Sequence, residues 1–390
     1  MDFYHSNFRV SFDYPVIFTE HVFSLSNSAL LSVIGRREPL RRHRLFTVID
    51  RNVQAAWPSL VDDVQEYVKC HGDRLQAAAA PIVVVGGEAA KNDSSLTTHL
   101  HARFDAAGMD RQSCVMVVGG GALLDAVGYA AATAHRGLRI IRVPTTVLAQ
   151  DDAGVGVKNG VNAFGKKNYL GTFAPPFAVL NDRRFLTTLS RRDRIAGMAE
   201  AVKVALIRDA GFFQWMIEQA EALQAGDAES LHLLIRRCAE IHLDHIARAG
   251  DPFESGSGRP LDFGHWAAHK LEALTNYRLK HGEAVAIGLA LDTLYSVELG
   301  FLDRQAGDET LILLERLGLP LWDETLRNPR LLDGLTEFRE HLGGELSLTL
   351  LRDIGNAVET SAIDEGLMQH CIARLQDRSS TTVHVRSDTL

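Results

Sequence analysis

A chain of 390 residues, 46% hydrophobic and 23% charged, has an ordinary soluble composition and enough length for two substantial cores. Its formal net charge of -8 speaks against a general nucleic-acid or anionic-membrane binder, although a local basic pocket can still hold an anionic substrate. Cys70, Cys114, Cys238 and Cys371 stand far apart with no CxxC pair, which fits a reducing cytoplasm and offers no cysteine metal site. The start Met1-Asp2-Phe3-Tyr4-His5 has no basic run leading into a long apolar stretch, so neither a signal peptide nor a membrane span is expected.

In chain order, Phe8-Arg9-Val10-Ser11-Phe12 alternates in a way that predicts an edge hairpin before residue 45. From about 45 to 182, short apolar runs alternate with helical patterns, the mark of a parallel α/β sheet. Strands are expected at Leu45 to Ile49, Ile82 to Val85, Val115 to Val118, Ile140 to Val143 and Ala178 to Leu180. The first three end in Asp50-Arg51-Asn52, Gly86-Gly87-Glu88 and Gly119-Gly120-Gly121, turns that should line one crevice at the carboxyl ends of the strands. A Rossmann-like α/β domain over residues 1–185 is therefore expected. Character changes after Leu189-Ser190: a mostly α-helical domain is expected over 186–378, with one late strand at Leu346 to Leu351, a last helix from near Ser361 to Leu375, and a loose tail over 379–390. Two domains with a cleft between them is the economical reading.

The turn Gly119-Gly120-Gly121 opens a helix expected from Leu123 to Ala134, where glycines let a backbone approach a pyrophosphate and the helix N-terminus favours its charge. A tight strand-to-helix turn explains the same glycines, and Asp125 suits either a cofactor contact or the helix dipole. Pro144-Thr145-Thr146 runs on through Gln150-Asp151-Asp152 to Lys158, and Gly165-Lys166-Lys167-Asn168 follows. Glycines, hydroxyls, lysines and asparagine in one loop suit a phosphate monoester, and a solvated loop explains the lysines alone.

Glu200 and Lys203 share a helical face in Ala199-Glu200-Ala201-Val202-Lys203. His265 and His269 lie four apart in Asp262-Phe263-Gly264-His265-Trp266-Ala267-Ala268-His269, and His281-Gly282-Glu283 follows. Imidazoles plus one carboxylate make the ligand set of a catalytic zinc with an open position. With 16 histidines in the chain, the pair alone is equally compatible with chance. A surface Glu200–Lys203 ion pair is the alternative for that helix, but a buried carboxylate in so apolar a run needs a partner such as a metal.

Taken together, the chain resembles the sugar phosphate cyclase family, to which 3-dehydroquinate synthase belongs. The matching pieces are Asp50 to Val53, Gly87 to Lys91, Gly119 to Gly137, Pro144 to Asn162, Gly165 to Phe173, Ala196 to Ile207, Asp262 to His269 and His281 to Gly288. The resemblance implies NAD as a held catalytic cofactor and a divalent metal, zinc or else cobalt, on Glu200, His265 and His281. It implies that Asp50, Asn52, Glu88, Lys91, Gly120, Gly121, Asp125, Thr145, Thr146 and Lys167 surround NAD. Arg136, Asp152, Lys158, Asn168, Lys203 and His269 would face a sugar phosphate, with Arg136 reaching a neighbouring subunit in a cytoplasmic homodimer. The family reaction oxidises a ring hydroxyl, eliminates phosphate, reduces the ketone again and closes a carbocycle by an intramolecular aldol step.

The chain departs from 3-dehydroquinate synthase where a lysine and an arginine hold the substrate's carboxylate. Counting back from His265, the arginine position falls on Gly258, beside Arg259, and the lysine position falls near Asp244 and His245. Asn159, Asp262 and the segment Phe338 to Gly344 also differ from the family's usual residues. These departures point toward the branch resembling 2-epi-5-epi-valiolone synthase, which takes sedoheptulose 7-phosphate, a substrate without the carboxylate. The alternatives are 3-dehydroquinate synthase proper, a metal-dependent glycerol-type dehydrogenase, or a relative that binds a sugar phosphate without turning it over.

Overall fold

A computed structural model describes residues 2–248, 260–341 and 346–387 of the chain. Gly258, Arg259, Gly343 and Gly344 lie outside the described residues. Two compact units form, one from Met1–Pro144 with Val157–Asp182 and the other from Thr145–Gly156 with Arg183–Leu390. The break expected at 185/186 thus falls at 182/183. Thr145–Gly156, expected in the first domain, belongs to the second, since its π-helical turn Ala149–Ala153 packs there on the helix Ala228–Arg248.

The first unit contains β1 (Val16–Thr19), β2 (His43–Asp50), β3 (Leu75–Ala77), β4 (Ile82–Val84), β5 (Cys114–Gly119), β6 (Arg139–Pro144), β7 (Lys158–Ala163), β8 (Lys166–Phe173) and β9 (Ala178–Asp182). Its helices are α1 (Ala29–Ile34), α2 (Arg51–Ala56), α3 (Leu60–Cys70), α4 (Glu88–Asn92), α5 (Ser94–Ala106) and α6 (Gly121–Thr133). The main sheet runs β1-β9-β6-β5-β2-β3, with β4 also on β2, and every pairing in it is parallel. Strand β5 is buried along its whole length, as expected of a parallel strand covered on both faces. All five expected strands are present.

Two expectations for this unit need correction. Residues 2–14 form no strand, and Phe8, Val10 and Phe12 stay exposed, so their alternation has no core face behind it. The first strand is Val16–Thr19 instead, parallel to β9. The presumed phosphate loop from Lys158 to Asn168 is an antiparallel hairpin, β7 with β8, turned through Phe164 (φ 53°) and Gly165 (φ 72°). Its glycines, Gly160 and Gly171, face each other across the pair, where a Cβ on either would press on the partner backbone at 3.1 and 3.0 Å.

The second unit is helical: α7 (Arg191–Arg208), α8 (Ala210–Ala225), α9 (Ala228–Arg248), α10 (His265–Leu274), α11 (His281–Glu298), α12 (Arg304–Leu317), α13 (Asp333–His341) and α14 (Glu365–Ser387). The expected late strand is half of a hairpin, β10 (Leu348–Asp353) with β11 (Asn356–Thr360). Helix α14 continues to Ser387, through most of the segment expected to be loose, because no glycine or proline interrupts it after Gly366. Among the described residues, no helix is long and apolar enough to cross a membrane.

Candidate active site

Helix α7 is buried from Ile195 through Ile207, so Glu200 and Lys203 sit in an apolar core at 0% and 3% exposure rather than as a surface pair. Two glycines bring the histidines to them. A Cβ on Gly282 would stand 1.8 Å from the carbonyl oxygen of Ala196, so the first turn of α11 lies directly on α7 beside Glu200. Gly264, in the left-handed region at φ 76°, turns the chain into α10 and presents His265.

The result is a tight cluster. Glu200 Oε1 lies 3.2 Å from His281 Nε2 and 3.4 Å from His265 Nε2. His265 Nδ1 is 3.0 Å from the carbonyl oxygen of Phe263, which can only accept, so that nitrogen carries the proton. His281 Nδ1 is likewise 3.0 Å from Glu272 Oε2. Both Nε2 lone pairs therefore meet a carboxylate oxygen, acceptor against acceptor, an arrangement that a cation resolves. Tetrahedral zinc bonds of about 2.0–2.1 Å separate ligand atoms by about 3.3 Å, which matches these spacings. The three residues' ligand atoms all lie within 4.8 Å of one another. The donor set therefore fits a zinc ion.

The charges around this cluster are held by burial and by one another. Burial alone would raise the Glu200 carboxyl, but the Lys203 ammonium beside it holds it well below the usual range. Burial pulls the Lys203 ammonium down, yet Glu200, in direct ion-pair contact, and Asp152 keep it above the ordinary lysine range. His269 shares the ring cluster, stacked on His281 at 6.0 Å between centroids. Asp152 Oδ1 lies 2.8 Å from His242 Nδ1. Burial and the Glu200 charge push the Asp152 carboxyl up, and His242 and Lys203 bring it below its ordinary value. Thr145 is buried with no partner for its hydroxyl, while Thr146 Oγ1 accepts from the backbone N–H of Ala149 at 3.2 Å.

In the first unit the carboxyl ends of the strands carry the expected crevice residues. Asp50 caps α2 by accepting from the N–H of Asn52 at 2.8 Å, and burial raises its carboxyl. A Cβ on Gly86 would fall 1.8 Å from Asp50 Oδ2, so only glycine fits there. Gly120 caps α6 with no side chain over its first turn, and Gly87, at φ 68°, has open space within 4 Å of where a Cβ would stand. Bare helix N-termini beside open glycines suit the pyrophosphate of a dinucleotide. Lys91 and Asp125, expected as cofactor contacts, take each other as partners at 2.7 Å, with Lys91 buried. Glu88 Oε1 accepts from Asn162 Nδ2 at 2.6 Å, and Asn162 Oδ1 accepts from the N–H of Asn168 at 2.8 Å, which ties the hairpin bearing Lys158 and Lys167 to α4. Arg136 stands apart. The 13 residues of α6 separate it from the glycine turn by about 20 Å.

Four residues that matter here were not anticipated. Glu272 lies three residues after His269 and seven after His265, a spacing on one helical face that announces it. His242 sits where the lysine count overshoots. Asp244 is an exposed partner of Arg248 at 3.3 Å, and His245 contacts Arg208 at 3.1 Å, so the residue of α9 facing Asp152 lies half a turn earlier. Asp151 is buried with neither carboxylate oxygen bonded, and nothing in its sequence neighbourhood signals this. Asn162 is the hinge of the hairpin contact.

The chain matches the family models described as 3-dehydroquinate synthase N-terminal over residues 81–196 and 3-dehydroquinate synthase C-terminal over residues 197–338. It is 41% identical to a 3-dehydroquinate synthase from Halorhodospira halophila over 256 residues, 64% of this chain and 71% of that protein. It is 35% identical to a 2-epi-5-epi-valiolone synthase from Streptomyces glaucescens over 308 residues, 76% and 79% of the two chains. The 2-epi-5-epi-valiolone synthase of Streptomyces hygroscopicus subsp. jinggangensis 5008, solved with NAD+ and Zn2+ bound, superposes with a TM-score of 0.86 at 28% identity, covering 96% of this chain and 100% of that one.

Proposed function

The chain belongs to the 3-dehydroquinate synthase-like family of sugar phosphate cyclases, NAD- and zinc-dependent enzymes, and we propose from that premise that it cyclises sedoheptulose 7-phosphate or a close seven-carbon analogue with release of phosphate. Glu200, His265 and His281 are assigned to the metal. Asp50, Asn52, Glu88, Gly120, Gly121, Thr145, Thr146 and Lys167 are assigned to NAD, with Lys91 and Asp125 shaping its pocket as an ion pair. Asp152, Lys158, Asn168, Lys203 and His269 are assigned to the sugar phosphate, and Arg136 to the site of a second subunit in a homodimer.

When bound, NAD supplies a reversible hydride acceptor and zinc a Lewis acid. Lys203, kept cationic by Glu200 and Asp152, stabilises negative charge developing on a substrate oxygen. His269, beside the two metal-facing imidazoles, is placed to pass protons. Asp152, held ionised by His242 and Lys203, accepts hydrogen bonds from substrate hydroxyls.

The observation that carries the substrate assignment is the 2.8 Å approach of His242 to Asp152. Helix α9 brings an imidazole already engaged with a carboxylate, and Ile241 to Arg248 contains no lysine to meet a substrate carboxylate. That favours a polyol phosphate over an acid. The 41% identity to a 3-dehydroquinate synthase favours 3-deoxy-arabino-heptulosonate 7-phosphate as the second reading. Phosphate release from each sugar phosphate in parallel separates them. Turnover of sedoheptulose 7-phosphate alone supports the proposal, and turnover of the acid alone returns the chain to 3-dehydroquinate synthase chemistry.

A further inference from the structure

Two buried acids outside the ligand set sit on the helices that carry the histidines. Glu272 belongs to α10, the helix that His265 begins, and is 3% exposed. Its Oε2 lies 3.0 Å from Nδ1 of His281, on the other helix. Asp292 belongs to α11, the helix that His281 begins, and is 1% exposed. Its Oδ2 accepts from the N–H of Gly264 at 3.0 Å and its Oδ1 from the indole N–H of Trp266 at 2.9 Å, the residues on either side of His265.

We propose that these acids cross-brace the metal centre, Glu272 positioning His281 and Asp292 positioning the turn that presents His265. The inference rests on the assignment of Glu200, His265 and His281 to the metal. Each acid reaches from one histidine's helix to the other's, so a slip of either helix disturbs both ligands at once. The two supports differ in kind. His281 donates to a carboxylate, which fixes its ring and makes Nε2 a stronger donor to a metal. His265 donates to the neutral carbonyl of Phe263, and its position comes from the doubly anchored turn around it. Buried carboxylates are costly unless their acceptor capacity is used, and Asp292 uses both oxygens and Glu272 its Oε2 across this pair of helices.

The competing role for Glu272 is as a ligand itself, because His269, Glu272 and His281 also offer atoms within 4.8 Å of one another. Cobalt titration of the chelator-stripped protein, followed by visible absorption and by metal content at saturation, decides between them. One ion per wild-type chain is expected. Glu272→Gln and Asp292→Asn should each bind cobalt about 10–100-fold more weakly, with shifted ligand-field bands and unchanged far-ultraviolet circular dichroism. The two variants report independently, so a folding failure in one leaves the other as the test. Wild-type affinity and bands in a folded variant overturn the brace. Two ions per wild-type chain make Glu272 a ligand and overturn it as well. A wild-type protein that takes up no cobalt removes the metal assignment and this inference together.

Discussion

A Cβ on Gly288 would stand 2.0 Å from the carbonyl oxygen of Gly264, so α11 and the turn before α10 touch backbone to backbone at a point only glycine permits. That contact fixes the distance between the histidines that begin the two helices. Gly288→Ala must push them apart. The expected cost is about 1–3 kcal/mol of unfolding free energy, read by urea denaturation, together with weaker zinc binding. A variant with the parent's stability and zinc affinity would show that the helices are spaced by something else.

Lys203 neutralises Glu200 in a buried ion pair, and in the proposed chemistry it faces the sugar phosphate. Lys203→Met should lower kcat by about 10²–10³-fold, the usual loss of one charge-stabilising donor. It should also destabilise the metal-free protein, because a buried carboxylate loses its partner. Steady-state phosphate release and thermal unfolding measure the two effects separately.

Asp151 is buried without a partner, and burial together with the charges of Asp152 and Glu200 holds its carboxyl well above the ordinary value of 3.8. A raised carboxyl pKa in the folded state means that its contribution to stability is full below the unfolded pKa and is lost as pH rises toward the folded one. Asp151→Asn, which cannot ionise, should therefore melt at a higher temperature than the parent near neutral pH. The gap should close as pH falls toward about 4. A gap that is independent of pH would mean that Asp151 is ionised in the folded protein.

Much of this site was legible because its chemistry recurs at short spacing. His265 and His269 share a helical face, His281 is followed by the glycine that lets its helix touch α7, and Glu200 stands in a run too apolar for an unpartnered acid. Glu272 shares the helical face of His265 and His269, but its type diverts attention from that spacing, since a glutamate inside a helix ordinarily faces water. His242 was hidden by distance, since counting back from His265 crosses residues 249–259 and lands two positions late. The sheet's inner strands were plain as continuous apolar runs, whereas β7 and β8, half exposed and rich in glycine and lysine, carried a loop's composition. What ties this hairpin to α4 is the contact of Asn162 with Glu88, residues 74 apart in the chain.

The correction on α9 has its own test. Asp244 is an exposed (i, i+4) partner of Arg248, worth about 0.3–0.5 kcal/mol at most, so Asp244→Ala should leave kcat/KM for sedoheptulose 7-phosphate unchanged. His242→Ala removes the group beside Asp152 and should lower kcat/KM at least about tenfold, the scale of one close polar contact to a charged group. The opposite pattern would restore the position first read from the spacing.

The most direct measurement is X-ray absorption at the zinc edge of the purified, zinc-supplied protein. A single shell of nitrogen and oxygen atoms at about 2.0–2.2 Å, with outer scattering from two imidazole rings that falls to one in His281→Ala, is the predicted result. A sulfur shell at about 2.3 Å, or two-ring scattering that persists in His281→Ala, would contradict the convergence of Glu200, His265 and His281 on one ion.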